Sequence, residues 1–173
     1  MGQLDKLKAS MSAKLADTPR FTCIPGLKNV PMGIPHIYVD GSYDTSCRLA
    51  GWAWVAHIDG ELAAKANGKV DDAPFGSRNI TGEIYAAAMA LEWADKMQLP
   101  EVVVVHDYIG LGMWGTTWKA KAPIAIWYKS RLAKVKARVH FRHVKGHSGN
   151  VWNEMADREA AMGKQSKKIG RII

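Results

Sequence analysis

Thr81-Gly-Glu-Ile-Tyr-Ala-Ala-Ala-Met-Ala-Leu-Glu-Trp-Ala-Asp-Lys-Met-Gln-Leu-Pro-Glu-Val-Val-Val-Val-His-Asp107 is the stretch that decides the fold. From Thr81 to Met97 it is crowded with strong helix formers, and Leu99-Pro100 ends the helix. Glu101 to His106 contains four consecutive valines, the pattern of a strand buried on both faces. A helix feeding such a strand is the unit of an α/β fold. Working outward, His36-Ile-Tyr-Val-Asp40 reads as a strand. Ala50 to Ile58 and Glu61 to Val70 read as two more, joined by the hairpin signal Asp59-Gly60. Downstream come a short helix over Asp107 to Trp114, a helix opened by Pro123 and running to about Lys134, a strand over Arg138 to His143, and a helix over Asn150 to Met162. The expected architecture is α/β, a five-stranded mixed sheet flanked by helices.

The chain has 173 residues, enough for one domain with a short arm. Apolar residues are 47% and charged residues 23%, which excludes bulk disorder. No apolar run is long enough for a membrane span. Cys23 and Cys47 are too few for a disulfide framework or a four-thiolate zinc site, so a reducing, cytoplasmic compartment is expected. Residues 1–35 form a basic arm broken by Pro19, Pro25, Pro31 and Pro35, with a possible amphipathic helix over 3–16. A targeting peptide is the other reading of this arm, against which stand Asp5, Asp17 and a single arginine, and no secretory signal is visible. Residues 36–162 form the body and 163–173 a basic tail. The formal net charge is +8, yet Lys119 to Lys145 alone carries nine bases and no acid. The rest of the body is therefore net acidic. A basic face beside an acidic pocket suits a polyanionic partner and a bound cation, although a charge run is often only a solvated face.

Four acids stand out. Asp40 ends the first strand, Glu83 lies in the first turn of the long helix, Asp107 follows the valine strand, and Asp157 is in the middle of the last helix. Each has a plainer role available. Asp40 could serve a turn, Glu83 the helix dipole, and Asp107 a helix N-cap. In open α/β sheets, however, ligands sit at the carboxyl ends of the strands. Carboxylates converging there repel one another unless cations compensate, and hard oxygen donors select Mg²⁺ or Mn²⁺. Two such ions about 4 Å apart are the arrangement that cleaves phosphodiesters.

These residues fall in blocks that resemble ribonuclease H of type 1. The blocks are Ile37-Tyr-Val-Asp40-Gly41-Ser42, Arg78-Asn79-Ile-Thr-Gly-Glu83, the valine strand with Asp107-Tyr108, and His143-Val-Lys-Gly-His147-Ser-Gly-Asn150 followed by Asn153-Glu-Met-Ala-Asp157. The resemblance covers about His36 to Met162. It implies a ribonuclease H-like fold and an endonuclease that cuts the RNA strand of RNA/DNA hybrids with two Mg²⁺ ions, Mn²⁺ substituting. Products would carry 5′-phosphate and 3′-hydroxyl ends. In this resemblance Asp40 bridges both ions, Asp157 helps hold the ion that activates water, and Glu83 and Asp107 hold the other. Glu83 also lies near an RNA 2′-hydroxyl, and His147 assists proton transfer. Gly41, Ser42 and Asn79 contact substrate, and Trp118 lies in the DNA-strand channel. For His147 an exposed loop position, and for Trp118 a core position, are the plainer alternatives. Trp52, Trp54, Trp93 and Trp127 sit in patterns that suggest core.

The sequence also departs from the resembled pattern. About eight residues separate Trp114 from Pro123, too few for the basic protrusion of many bacterial members. Ile80 replaces a frequent polar residue, and Tyr108 a frequent serine. Proofreading-type exonucleases place Asp-x-Glu on the first strand, where this chain has Asp40-Gly41-Ser42. A reverse-transcriptase fragment is conceivable, but the initial Met1 and the arm favour a free-standing protein. A catalytically silent binding module of the same fold is the alternative function. A monomer is expected, with no membrane partner.

Overall fold

The computed structural model describes residues 2–3, 5–6, 19–24, 33–71, 78–146 and 149–170. In chain order the strands are β1 (Phe21–Cys23), β2 (His36–Asp44), β3 (Leu49–Ile58), β4 (Glu61–Asp71), β5 (Glu101–His106), β6 (Arg138–His143) and β7 (Ile169–Gly170). The helices are α1 (Arg78–Lys96), α2 (Gly110–Thr116), α3 (Pro123–Leu132) and α4 (Val151–Gly163). They build one mixed sheet in the order β1-β6-β5-β2-β3-β4-β7. The pairs β2–β3 and β3–β4 are antiparallel and the other pairings parallel.

The five expected strands are the five central ones, but the sheet has seven, which corrects the expected count. Both additions come from segments read as arm and tail. β1 pairs in parallel with β6, and β7 with β4. Three and two residues are too few to show a pattern of alternation. β1 is held by side chains as well as by its ladder. Thr22 Oγ1 lies 2.6 Å from His140 Nδ1, and the other nitrogen of that ring binds the buried Glu101 carboxylate. The amphipathic helix read over 3–16 lies mostly outside the described residues.

Local chemistry accounts for the central elements. Asp59 and Gly60 both have positive φ (50° and 86°), the pair of left-handed residues that a two-residue hairpin between β3 and β4 requires. β5 is buried at all six positions because helices cover both faces. One face packs against α1 and α3 through Ile84, Leu91, Trp127 and Tyr128. Trp52, Trp54 and Trp127 are buried there, with Trp93 packed against them, as expected. The other face packs Tyr38, Val55, Val103 and Val105 under Ala156 and Trp152 of α4. Pro123 opens α3, and only Thr117 to Ala122 separate it from α2, so no protrusion helix intervenes. The expected short helix begins later than Asp107, with Ile109 at its N-cap. Among the described residues no helix is long and apolar enough to cross a membrane.

Both helical layers touch the sheet most closely at Gly51 of β3. A Cβ on Gly82 of α1 would lie 2.2 Å from the Gly51 carbonyl oxygen, and a Cβ on Gly51 would lie 2.0 Å from the Ala160 carbonyl of α4. These contacts bring backbone against backbone, so only glycine fits. They set the depth at which Glu83, next to Gly82, enters the sheet. Gly82→Ala is therefore expected to cost about 1–3 kcal/mol through overpacking. Urea unfolding of the variant against the parent measures it; an unchanged midpoint would show that the helix shifts freely.

Candidate active site

β2 and β5 are parallel neighbours, with Tyr38 beside Val105. Their carboxyl ends therefore point the same way, and the chain leaves them in opposite directions across the sheet. That divergence opens a cavity of about 530 Å³ lined by Asp40, Gly41, Ser42, Tyr43, Ile80, Glu83, Asp107, Tyr108 and Asp157. The four expected carboxylates thus face one space.

Asp40 lies inside β2, opposite Ala53 of β3, rather than at a turn. Its Oδ1 accepts the Gly41 N–H at 2.8 Å. Glu83 belongs to the second turn of α1, because that helix starts at Arg78, earlier than Thr81. It is 4% exposed, and its Oε1 accepts the N–H groups of Asp107 (3.1 Å) and Tyr108 (3.0 Å). A residue serving only the helix dipole would sit in the first turn and face solvent. Asp107 follows β5 and does not cap α2. One oxygen each from Asp40, Glu83 and Asp107 lie within 4.8 Å of one another. Asp157 reaches the cavity from the exposed side of α4, outside that triad, and acts on Asp40 by charge and by a hydrogen bond.

The electrostatics are those of acids without counterions. Burial pushes the Asp40 carboxyl up to about 7, with Asp107 and Asp157 adding repulsion, while the Gly41 N–H opposes the shift. Burial likewise raises Glu83 well above the carboxylate range, helped by Asp107. The charged neighbours that act most strongly on these two groups are themselves acids. A cluster of oxygen donors at this spacing, half-buried and lacking positive charge, fits one or more hard divalent cations.

Several supporting residues were not singled out from the sequence. The His106 ring is buried, and burial holds it down at about 4, so it is neutral. Its Nδ1–H donates to the Tyr108 carbonyl (2.9 Å), while His143 Nε2–H donates to the Asp107 carbonyl (2.8 Å). Two imidazoles thus fix the turn that carries Asp107. Gly146 comes so close that a Cβ there would be 2.9 Å from Asp107 Oδ2. Tyr43 lines the cavity three residues beyond Asp40. Nothing in local pattern distinguishes these histidines from core or surface ones; only the pairing of β5 with β6, which sets His106 beside His143, does so.

Gly41 and Ser42 border the cavity as expected. The Asn79 backbone lies in α1, but its side chain is outside the described ones, and His147 lies outside the described residues. Trp118 is 42% exposed, so it is not core; it sits beyond α2, away from the cavity lining, with its ring edge-on to Trp114 at 6.3 Å.

Residues 34–165 match the family model described as RNase H. Ribonuclease H from Caulobacter sp. (strain K31) is 30% identical over 139 residues, covering 73% of this chain and 87% of that protein. Ribonuclease H from Cyanothece sp. (strain PCC 7425 / ATCC 29141) is 29% identical, covering 76% of this chain and 92% of that protein. Among solved structures, RNase H1 from Halobacterium salinarum NRC-1 superposes with a TM-score of 0.63 at 22% identity, covering 77% of this chain and 98% of that one. LC11-RNase H1, solved in complex with RNA/DNA hybrid, gives a TM-score of 0.62 at 19% identity, covering 76% of this chain and 96% of that one. By the family match, the identity and coverage of its relatives, and a shared fold, the chain belongs to the RNase H family.

Proposed function

We propose that this protein is an endonuclease that hydrolyses the RNA strand of RNA/DNA hybrids with two bound Mg²⁺ ions, Mn²⁺ substituting, leaving 5′-phosphate and 3′-hydroxyl ends. The observation that carries this reading is the Asp40–Glu83–Asp107 triad within 4.8 Å, with Asp157 across the same cavity. Such ions supply an activated water and stabilise charge on the attacking and leaving oxygens. Asp40 would serve both ions, a reading supported by its interaction with both Asp107 and Asp157. Glu83 and Asp107 would hold one ion, their geometry fixed by the N–H groups of Asp107 and Tyr108. Asp157 would help hold the other. Glu83 would also contact a 2′-hydroxyl, the group that distinguishes RNA from DNA. Gly41 and Ser42 would border the RNA strand, and Asn79, one turn before Glu83, would reach the minor groove. His147 would move the proton to the departing product.

Phosphate contacts come from the basic run. Lys129, Lys134 and Lys136 are exposed on and after α3, and Lys119 and Lys121 precede it beside Trp118. Lys129 Nζ donates to the Trp118 backbone carbonyl (3.3 Å), so this charge lies beside the Trp118 backbone. Trp118 would stack against the DNA strand, the usual role of an exposed aromatic on a basic track.

The raised Asp40 carboxyl gives a pH signature. A folded carboxyl raised from 3.8 to about 7 keeps a proton that the unfolded chain releases. The unfolded state then binds fewer protons, so stability is full below about 4 and erodes as pH rises towards about 7. His36, His57 and His106, all lowered by burial, act in the opposite direction. The clean comparison is therefore Asp40→Asn against the parent in metal-free buffer. The variant is expected to gain stability relative to the parent as pH rises from about 4 to about 7. Near neutral pH, Mg²⁺ should raise the Tm of the parent and much less that of the variant. A pH-independent difference would contradict the crowding.

The function itself is tested on one labelled RNA strand offered single, paired with RNA and paired with DNA, with Mg²⁺ or with chelator. Cleavage is expected only in the hybrid and only with metal. Asp107→Asn is expected to reduce cleavage below detection while hybrid binding persists. Tight binding by the parent without cleavage would make the protein a silent nucleic-acid-binding module instead.

A further inference from the structure

The two positions that depart from the resembled pattern, Ile80 and Tyr108, line the same cavity. Both adjoin Glu83. Ile80 lies one turn before it on α1, on the same helical face, and the Tyr108 N–H bonds its carboxylate. Ile80 and Tyr108 thus add an aliphatic and an aromatic residue to an otherwise acidic lining.

Tyr108 is also held rigidly. Its ring lies across the start of α2 so closely that a Cβ on Gly110 would be 2.5 Å from Cε1 and 2.8 Å from the hydroxyl. Trp114 packs edge-on against it at 5.7 Å, and Trp114 in turn packs against the buried Tyr128 at 6.5 Å, whose hydroxyl donates to the Leu111 carbonyl. Beyond Trp114 stands exposed Trp118 at 6.3 Å. The three rings form a ridge from the carboxylates to the basic track. Tyr108 packs against the core on one side and stays half-buried, bordering the cavity on the other.

We infer that Tyr108, backed by Trp114 and flanked by Ile80, is a substrate-binding residue that packs its ring against the nucleotide beside the cleaved phosphodiester. This rests on the reading of the chain as a nuclease of RNA/DNA hybrids. A π-face against a sugar or base adds affinity with little dependence on base identity, and a braced ring loses little freedom on binding. The contact is made in the ground state as well as in the transition state, so its loss appears in KM rather than in kcat.

The test measures binding of a fluorescent RNA/DNA hybrid in chelator and steady-state cleavage in Mg²⁺ for the parent, Tyr108→Ala, Tyr108→Leu and Tyr108→Phe. Tyr108→Ala is expected to raise Kd and KM about tenfold, the equivalent of about 1.4 kcal/mol, with a much smaller fall in kcat. Tyr108→Phe, which keeps the ring, should recover most of the affinity. Where Tyr108→Ala fails to fold, Tyr108→Leu, which keeps apolar packing without the aromatic face, should show the same loss. Unchanged Kd and KM in Ala or Leu, or a fall confined to kcat, would overturn the inference. A parent that neither binds nor cuts the hybrid would overturn the underlying functional reading, a separate result visible before any variant is compared.

Discussion

The constraint on which this structure turns is the crowding of like charge at the end of β2 and β5. Three carboxylates bring oxygens within 4.8 Å of one another, and one of them, Glu83, is almost fully buried. Left to relax, such groups would separate or take up protons. They stay because each is fixed by backbone. Asp40 is paired with Ala53 of β3, two residues beyond the point where the β2–β5 ladder ends at Tyr38. Glu83 grips the two N–H groups that follow β5, which ties α1 to that strand. The turn bearing Asp107 is clamped from the other side by His106 and His143 acting on consecutive carbonyls. The absence of a side chain on Gly82 lets α1 approach Gly51 closely enough for Glu83 to reach those groups.

Charge is segregated around this centre. The acidic cavity occupies one end of the sheet, while the bases lie on the α3 side and along the termini. Lys164, Lys167 and Lys168 lead into β7, which runs beside Lys69 of β4. Ile169–Gly170 of the tail thus lie on one sheet edge, and Phe21–Cys23 of the arm on the other. Covering both edges with short strands also blunts them as templates for pairing with other chains. Among the described residues, Lys65 binds Glu159 between β4 and α4, Lys96 binds Glu92 within α1 at 3.1 Å, and His140 meets Glu101 between β6 and β5.

Much of this was legible in the sequence, for physical reasons. The valine run, the alanine-rich helix and the Asp59-Gly60 turn are local signals whose chemistry leaves little choice. Asp107 was legible because it follows the valine strand, and Asp40, Glu83 and Asp157 because they fall in the blocks that resemble ribonuclease H; the structure brings all four to one cavity. Glu83 was placed one turn too early because nothing local marks Arg78 as the helix start; its true place explains its burial. β1 and β7 were illegible because their pairing depends on partners 118 and 100 residues away (Thr22 with His140, Lys69 with Ile169) and not on their own pattern. The roles of His106 and His143 were hidden for the same reason, since only the β5–β6 register makes neighbours of them.

The site is also asymmetric in how it is built, and this bears on how it would work. Glu83 and Asp107 belong to the rigid side, fixed by sheet, helix and imidazole hydrogen bonds. Asp157 belongs to the other side, on an exposed face of α4. That helix is positioned by its Asn150 cap, which accepts the Trp152 and Asn153 N–H groups, and by the approach of Ala160 to Gly51. A cation between Asp40, Glu83 and Asp107 would meet ligands already in place and lose little freedom on binding. The burial gradient from Glu83 to Asp157 thus divides the cavity into a fixed half suited to holding charge and an open half suited to admitting water.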